Sequence, residues 1–188
     1  MADLCILSRP LSYTAKLESR TPVDISLVVI HCTELPDLVM ARQYAEQIHY
    51  PTSGTGNSGH FYIDRDGSIE QWVEPLQVAH HVADMNQNSI GIELVNRGRY
   101  PHWFNSNHQQ AEEKYPQEQI SSLITLLDKL TNEFPNLKAV AGHQDFDTRM
   151  IAAADKPEIL VPRKIDPGPQ FPWDVVLAKV QLQRSGQQ

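Results

Sequence analysis

The segment S-L-V-V-I-H-C-T, residues 26–33, most constrains what this chain can fold into. Four successive aliphatic residues between polar ones make a run of strand length, and its β-branched character predicts a strand buried on both faces, at the centre of a sheet. Its exit carries His31. A second segment, S-I-G-I-E-L-V-N at 89–96, alternates. Ile90, Ile92 and Leu94 fall on one face and Ser89, Gly91, Glu93 and Val95 on the other, so Glu93 is an acid embedded in a strand. H-F-Y-I-D and S-I-E-Q-W-V, joined through Asp66-Gly67, predict a β-hairpin. Val78 to Val82 reads as a further short strand, and Leu137 to Gly142 as one leading into His143. Helical spacing appears at Asp37 to His49, from an acidic start to the stop at Pro51, and most clearly at Pro116 to Phe134, where Ile120, Leu123, Ile124, Leu127 and Leu130 share a face. A final helix is expected from Trp173 to about Gln183. Arg97 to Tyr115 has no steady period and reads as a long surface loop. The expected fold class is α/β, a mixed central sheet flanked by helices.

At 188 residues the chain fits one domain, 1–188, with little room for a second. Its 16 Lys and Arg against 23 Asp and Glu give a net charge of −7, which argues against nonspecific nucleic-acid or anionic-membrane partners. The longest apolar stretches fall well short of the roughly 20 residues of a membrane span. The opening M-A-D-L-C-I-L-S-R-P has no basic leader with an apolar stretch, so the expected compartment is the cytoplasm, or the periplasm if a leader has been trimmed. Two cysteines, Cys5 and Cys32, make no disulfide framework or metal knuckle and are expected to be reduced. The glycine-rich stretch Ser53 to Gly59 precedes a strand-like segment, which argues against a phosphate cradle.

His31, His143 in A-G-H-Q-D, and Asp166 in K-I-D-P-G-P lie at predicted strand ends or in a proline-rich turn. Two imidazoles and a carboxylate are donors suited to Zn²⁺, and three protein ligands leave a fourth position for water, as in catalytic sites. Spacing alone does not bring them together. In order along the chain, however, V-I-H-C-T, S-I-G-I-E-L-V-N-R-G, A-G-H-Q-D and R-K-I-D-P-G-P-Q-F-P-W closely resemble the motifs of zinc-dependent N-acetylmuramoyl-L-alanine amidases. This is the type 2 amidase family, to which peptidoglycan recognition proteins also belong, and the resemblance runs over a core of about 26–173.

The resemblance implies that His31, His143 and Asp166 bind zinc and that Glu93 activates the water and passes its proton to the departing amine. It implies that Lys164 stabilises the tetrahedral oxyanion and that His81, in V-A-H-H-V-A, lies on the substrate side. The implied activity is hydrolysis of the amide between N-acetylmuramic acid and L-alanine, in peptidoglycan or its turnover fragments. Alternatives are a peptidoglycan-binding module without hydrolysis, a zinc peptidase acting on ordinary peptides, and an exported murein amidase in place of a cytoplasmic recycling enzyme. Aromatic faces in the 97–115 loop, Trp103 among them, are expected to contact sugar or peptide. Arg163 is unassigned. Two features depart from relatives: Gly59 stands where phage enzymes place a catalytic tyrosine, and the segment from Gln144 to Arg163 is longer than in compact recycling amidases.

Overall fold

The protein is described by a computed structural model covering residues 4–186. Strand β2, Leu27–Cys32, is buried at every position. It lies between β5 (Ser89–Leu94) and β6 (Ala139–Gly142), parallel to both. With β1 (Ile6–Ser8), β3 (Phe61–Ile63), β4 (Ile69–Gln71) and β9 (Gln183–Arg184) they form a seven-stranded sheet of order β1-β4-β3-β5-β2-β6-β9. Only the β3/β4 hairpin is antiparallel within it, so the sheet is mixed, as expected. A separate antiparallel pair, β7 (Met150–Ala152) and β8 (Leu160–Pro162), rises from the long segment after His143.

Alternation along the strands divides the core between the two faces of the sheet. Val28, Ile30, Ile90, Ile92 and Leu94 pack with Ile120, Leu123, Leu127 and Leu130 of helix α2, Gln117–Glu133. The buried Gln119 amide donates to the carbonyls of Ile63 and Val95 and fixes α2 against the strand ends. Tyr62 packs on the other side with Ala41 and Ala45 of helix α1, Leu38–Ala45, whose first turn is capped by the Asp37 carboxylate. Leu27 and Val29 pack there with Val82 and Ala141. His31, next on that face of β2, therefore emerges beside α1 and away from α2.

Three expectations need correction. The last helix, α3, spans only Trp173–Leu177, and residues 183–184 return to the sheet as β9. The Arg184 guanidinium lies 3.5 Å over the Trp173 ring and pairs with Asp145, which favours an edge strand over another helical turn. No strand forms at Val78 to Val82, because the amides of His81 and Val82 donate to the Asn86 side chain and not to a neighbouring strand. Helix α1 ends at Ala45, four residues early, because the amides of His49 and Tyr50 donate forward to the Thr55 carbonyl in a turn and not back into the helix.

Candidate active site

The carboxyl ends of three adjacent parallel strands supply the first three polar groups. In the register of β2 and β5, His31 faces Glu93, while on the other side Ile30 faces Gly142 and the next residue is His143. Crevices outside the carboxyl ends of parallel strands are where α/β sheets place ligands. The fourth group arrives from the far end of the chain. The Asp166 carbonyl accepts from the Gln144 amide, which holds the K-I-D-P loop over the turn that begins at His143.

His31, His143 and Asp166 are buried, and one donor atom from each lies within 4.8 Å of the others. The Nδ1 atoms of His31 and His143 approach the same Asp166 oxygen, Oδ2, at 3.0 and 3.2 Å. The second oxygen, Oδ1, is buried with no hydrogen-bond partner. Two imidazole nitrogens converging on a buried, half-satisfied carboxylate form a donor set that fits a divalent metal ion. The protonation of His31 and Asp166 agrees. Burial, reinforced by the neighbouring His143 charge, pushes His31 down to about 4, leaving it a neutral ligand at pH 7. Burial alone would raise the Asp166 carboxyl, but His143, Lys164 and the histidine hydrogen bonds hold it well below the ordinary range.

Glu93 Oε1 is 3.9 Å from His31 Nδ1, and Lys164 Nζ is 4.0 Å from Asp166 Oδ1. The structure therefore brings all five expected residues together. Burial and the charge of Asp166 push the Glu93 carboxyl up to about 8, with Lys164 opposing, which puts it where a group can both take and return a proton near neutrality. Gly59 packs against this acid: a Cβ there would lie 2.9 Å from Glu93 Cγ and 3.1 Å from the Gly91 carbonyl, so a tyrosine has no room on this backbone.

His81 lies behind His31, half-buried at the edge of the same cavity. His31 Nε2 and His81 Nδ1 are 3.0 Å apart, His81 Nε2 lies 3.2 Å from Ser89 Oγ, and that hydroxyl donates to the Met85 carbonyl at 2.7 Å. A ligand bound through His31 Nδ1 leaves the proton on Nε2, which fixes the direction of every later bond in the chain. Gly91 permits this, since a Cβ there would lie 2.6 Å from His81 Cγ.

Sequence reasoning missed the supports. Glu34, just past β2, is buried with φ of 49°, a strained conformation for a non-glycine residue. Its carboxylate accepts from Arg99 Nε and Nη2 at 2.8 and 2.9 Å. The fully buried Arg99 also donates to the carbonyls of Pro162 and Arg163, just before Lys164. The N-R-G-R run beside the Glu93 strand was the available signal, but nothing in it identifies Glu34 as partner. Trp103 donates from its indole to the Glu34 carbonyl and packs with α1 residues, so its role includes holding this corner. The site opens into a cavity of about 510 Å³ that also takes in Tyr44, Tyr50, Phe104, Arg149 and Arg163.

The sequence model of a family described as N-acetylmuramoyl-L-alanine amidase matches residues 20–169. The 1,6-anhydro-N-acetylmuramyl-L-alanine amidase AmpD of Haemophilus influenzae is 26% identical over 181 residues, 85% of this chain and 84% of that protein. Among solved structures, the N-acetylmuramoyl-L-alanine amidase LysC from Clostridium intestinale superposes with a TM-score of 0.67 at 23% identity, over 95% of this chain and 99% of its own. AmiD from E. coli, solved with the substrate anhydro-N-acetylmuramic acid-L-Ala-D-gamma-Glu-L-Lys, gives a TM-score of 0.63 at 25% identity, over 83% of this chain and 57% of AmiD.

Proposed function

The chain belongs to the N-acetylmuramoyl-L-alanine amidase family, and from that premise we propose that it is a zinc hydrolase, one domain over residues 1–188, which releases the stem peptide from muropeptides. The observation that carries this reading is the convergence of His31, His143 and Asp166 beside a half-buried Glu93 and a lysine. His31, His143 and Asp166 would hold zinc, which supplies a water of lowered pKa and polarisation of the scissile carbonyl. Glu93 takes the proton of the attacking water and returns it to the amine as the carbon–nitrogen bond breaks, a double role its raised pKa allows. Lys164 donates to the oxyanion that forms on the carbonyl oxygen, where an ammonium in a water-poor site acts most strongly. His81, whose expected place was the substrate side, has both ring nitrogens engaged with protein groups and serves to orient His31.

A complete donor set with an acid beside it supports hydrolysis over binding without turnover. AmpD and AmiD, by their names and bound substrate, favour a soluble anhydro-muropeptide as the starting substrate to test. Among the described residues no helix is long and apolar enough to cross a membrane.

The test is mass spectrometry of products after the zinc-loaded protein meets an anhydro-muramyl tripeptide, a reducing muramyl tripeptide and intact murein sacculi, each with and without chelator. Release of free stem peptide that chelator abolishes is the expected outcome. Release from the anhydro fragment alone assigns a recycling role and release from sacculi a cell-wall role. Cleavage of ordinary peptides lacking the muramyl sugar would contradict the reading, as would zinc binding with no release from any substrate.

A further inference from the structure

One wall of the cavity carries a charge cluster that the amide chemistry does not use. Asp147, 8% exposed, accepts from Arg149 Nε and Nη2 at 2.7 Å each and from Arg163 Nη1. Two guanidiniums thus share one carboxylate, and the side chains of Arg149 and Arg163 remain 64% and 39% exposed. All three residues line the cavity that holds Glu93 and Lys164. Asp84 biases Arg149 electrostatically but is not part of the cavity wall. In a chain of net charge −7, this wall carries a surplus of positive charge beside the reacting groups.

The cluster is built and not incidental. Arg149 immediately precedes β7 and Arg163 immediately follows β8, and the Arg163 amide donates to the Arg149 carbonyl at 2.8 Å, closing the base of the hairpin. The hairpin is in turn tied to the aromatic loop, where the Ala154 amide donates to the Phe104 carbonyl and Ser106 donates twice to the Asp155 carboxylate. The Asp147 amide donates to the His143 carbonyl, so the anchor of the cluster is set by the turn that carries a metal-ligand candidate. With Nη1 committed to Asp147, Arg163 keeps Nε and Nη2 for a ligand, in the planar geometry that suits a carboxylate.

We propose that Arg163, braced with Arg149 on Asp147, forms a carboxylate subsite of the substrate cavity that binds the free α-carboxylate of a γ-linked glutamate in the stem peptide. This rests on the amidase reading. In a D-γ-glutamyl residue, such as that of the peptide bound by AmiD, the chain runs through the side-chain carboxyl and leaves the α-carboxylate charged. Replacing that carboxylate by its amide removes the charge with little change in shape.

The experiment compares kcat/KM for anhydro-N-acetylmuramic acid-L-Ala-D-γ-Glu-L-Lys and for the same compound carrying an α-carboxamide on the glutamyl residue. The wild-type enzyme is expected to prefer the acid by about tenfold or more, as for a charge-assisted hydrogen bond. The ratio falls toward one in Arg163→Gln and decreases in Arg149→Gln, while Arg163→Lys, which keeps the charge, restores part of it. Both substrates share the scissile bond, so damage to Lys164 or to folding cancels in the ratio. A wild-type ratio near one, or a ratio that survives Arg163→Gln, would overturn the subsite while leaving the amidase reading intact. Failure to cleave either substrate, together with no release from a reducing muramyl tripeptide or from sacculi, would overturn both.

Discussion

At the scale of single residues the site is a set of proton assignments enforced by burial. With a metal ion on His31 Nδ1, the chain His31, His81, Ser89, Met85 would run in one direction only, and interrupting it would free the His31 imidazole to turn. His81→Ala is expected to raise the zinc dissociation constant by about 10- to 100-fold in a chelator-competition titration, the range typical of groups that orient metal ligands. Unchanged zinc affinity with a raised KM would return His81 to the substrate. His60 shows the cost of such burial. It accepts from the Gly91 amide, donates to the Gln77 carbonyl and lies 3.0 Å from Arg20 Nη2. Burial, with the Arg20 charge beside it, pushes its pKa down to about 3, so the native ring refuses a proton that the unfolded chain accepts near the ordinary 6.5. Between those values the unfolded state binds more protons, and stability falls as pH falls. Urea unfolding of the chelated protein at pH 6.5 and pH 5 should show a net loss, to which this residue contributes about 2 kcal/mol, with His31 and His81 pushing the same way and the raised Glu93 carboxyl opposing by a similar amount to one of them. Equal or greater stability at pH 5 would contradict it.

At the scale of elements, the strands were legible because their period is. The alternation in S-I-G-I-E-L places Ile90, Ile92 and Leu94 under α2 and Glu93 on the opposite face, and β2 reads as a central strand because no position in it tolerates water. The chain after His143 was not legible. The β7/β8 pair has short, half-exposed strands without a clean alternation, and residues 183–184 join β6 with the support of Arg184's contacts with Trp173 and Asp145, which no local pattern encodes. The same holds for Arg99, which joins the exit of β2 to the exit of β8. Arg99→Ala leaves Glu34 with its charge and without its partner in a buried corner, and is expected to cost about 3–5 kcal/mol in denaturant unfolding. A change below about 1 kcal/mol would show that water already serves the Glu34 carboxylate.

At the scale of the molecule, the sheet order and the loop that Gln144 holds over it bring together residues spread over more than 130 positions, from His31 to Asp166, at one cavity. Motif resemblance picked out the five candidate residues that the structure brings together. It did not reveal that the long segment after His143 returns as a hairpin whose base adds two arginines to the wall. The central question for the molecule is whether one metal ion at His31, His143 and Asp166 drives amide hydrolysis. The most direct measurement is to strip the protein with chelator, add zinc back in fractions of an equivalent, and follow stem-peptide release from an anhydro-muramyl tripeptide in the wild type and in Asp166→Ala. Activity in the wild type is expected to rise to a plateau at one equivalent, while the variant stays folded by circular dichroism and inactive. Full activity in the zinc-free protein or in the variant would contradict the account.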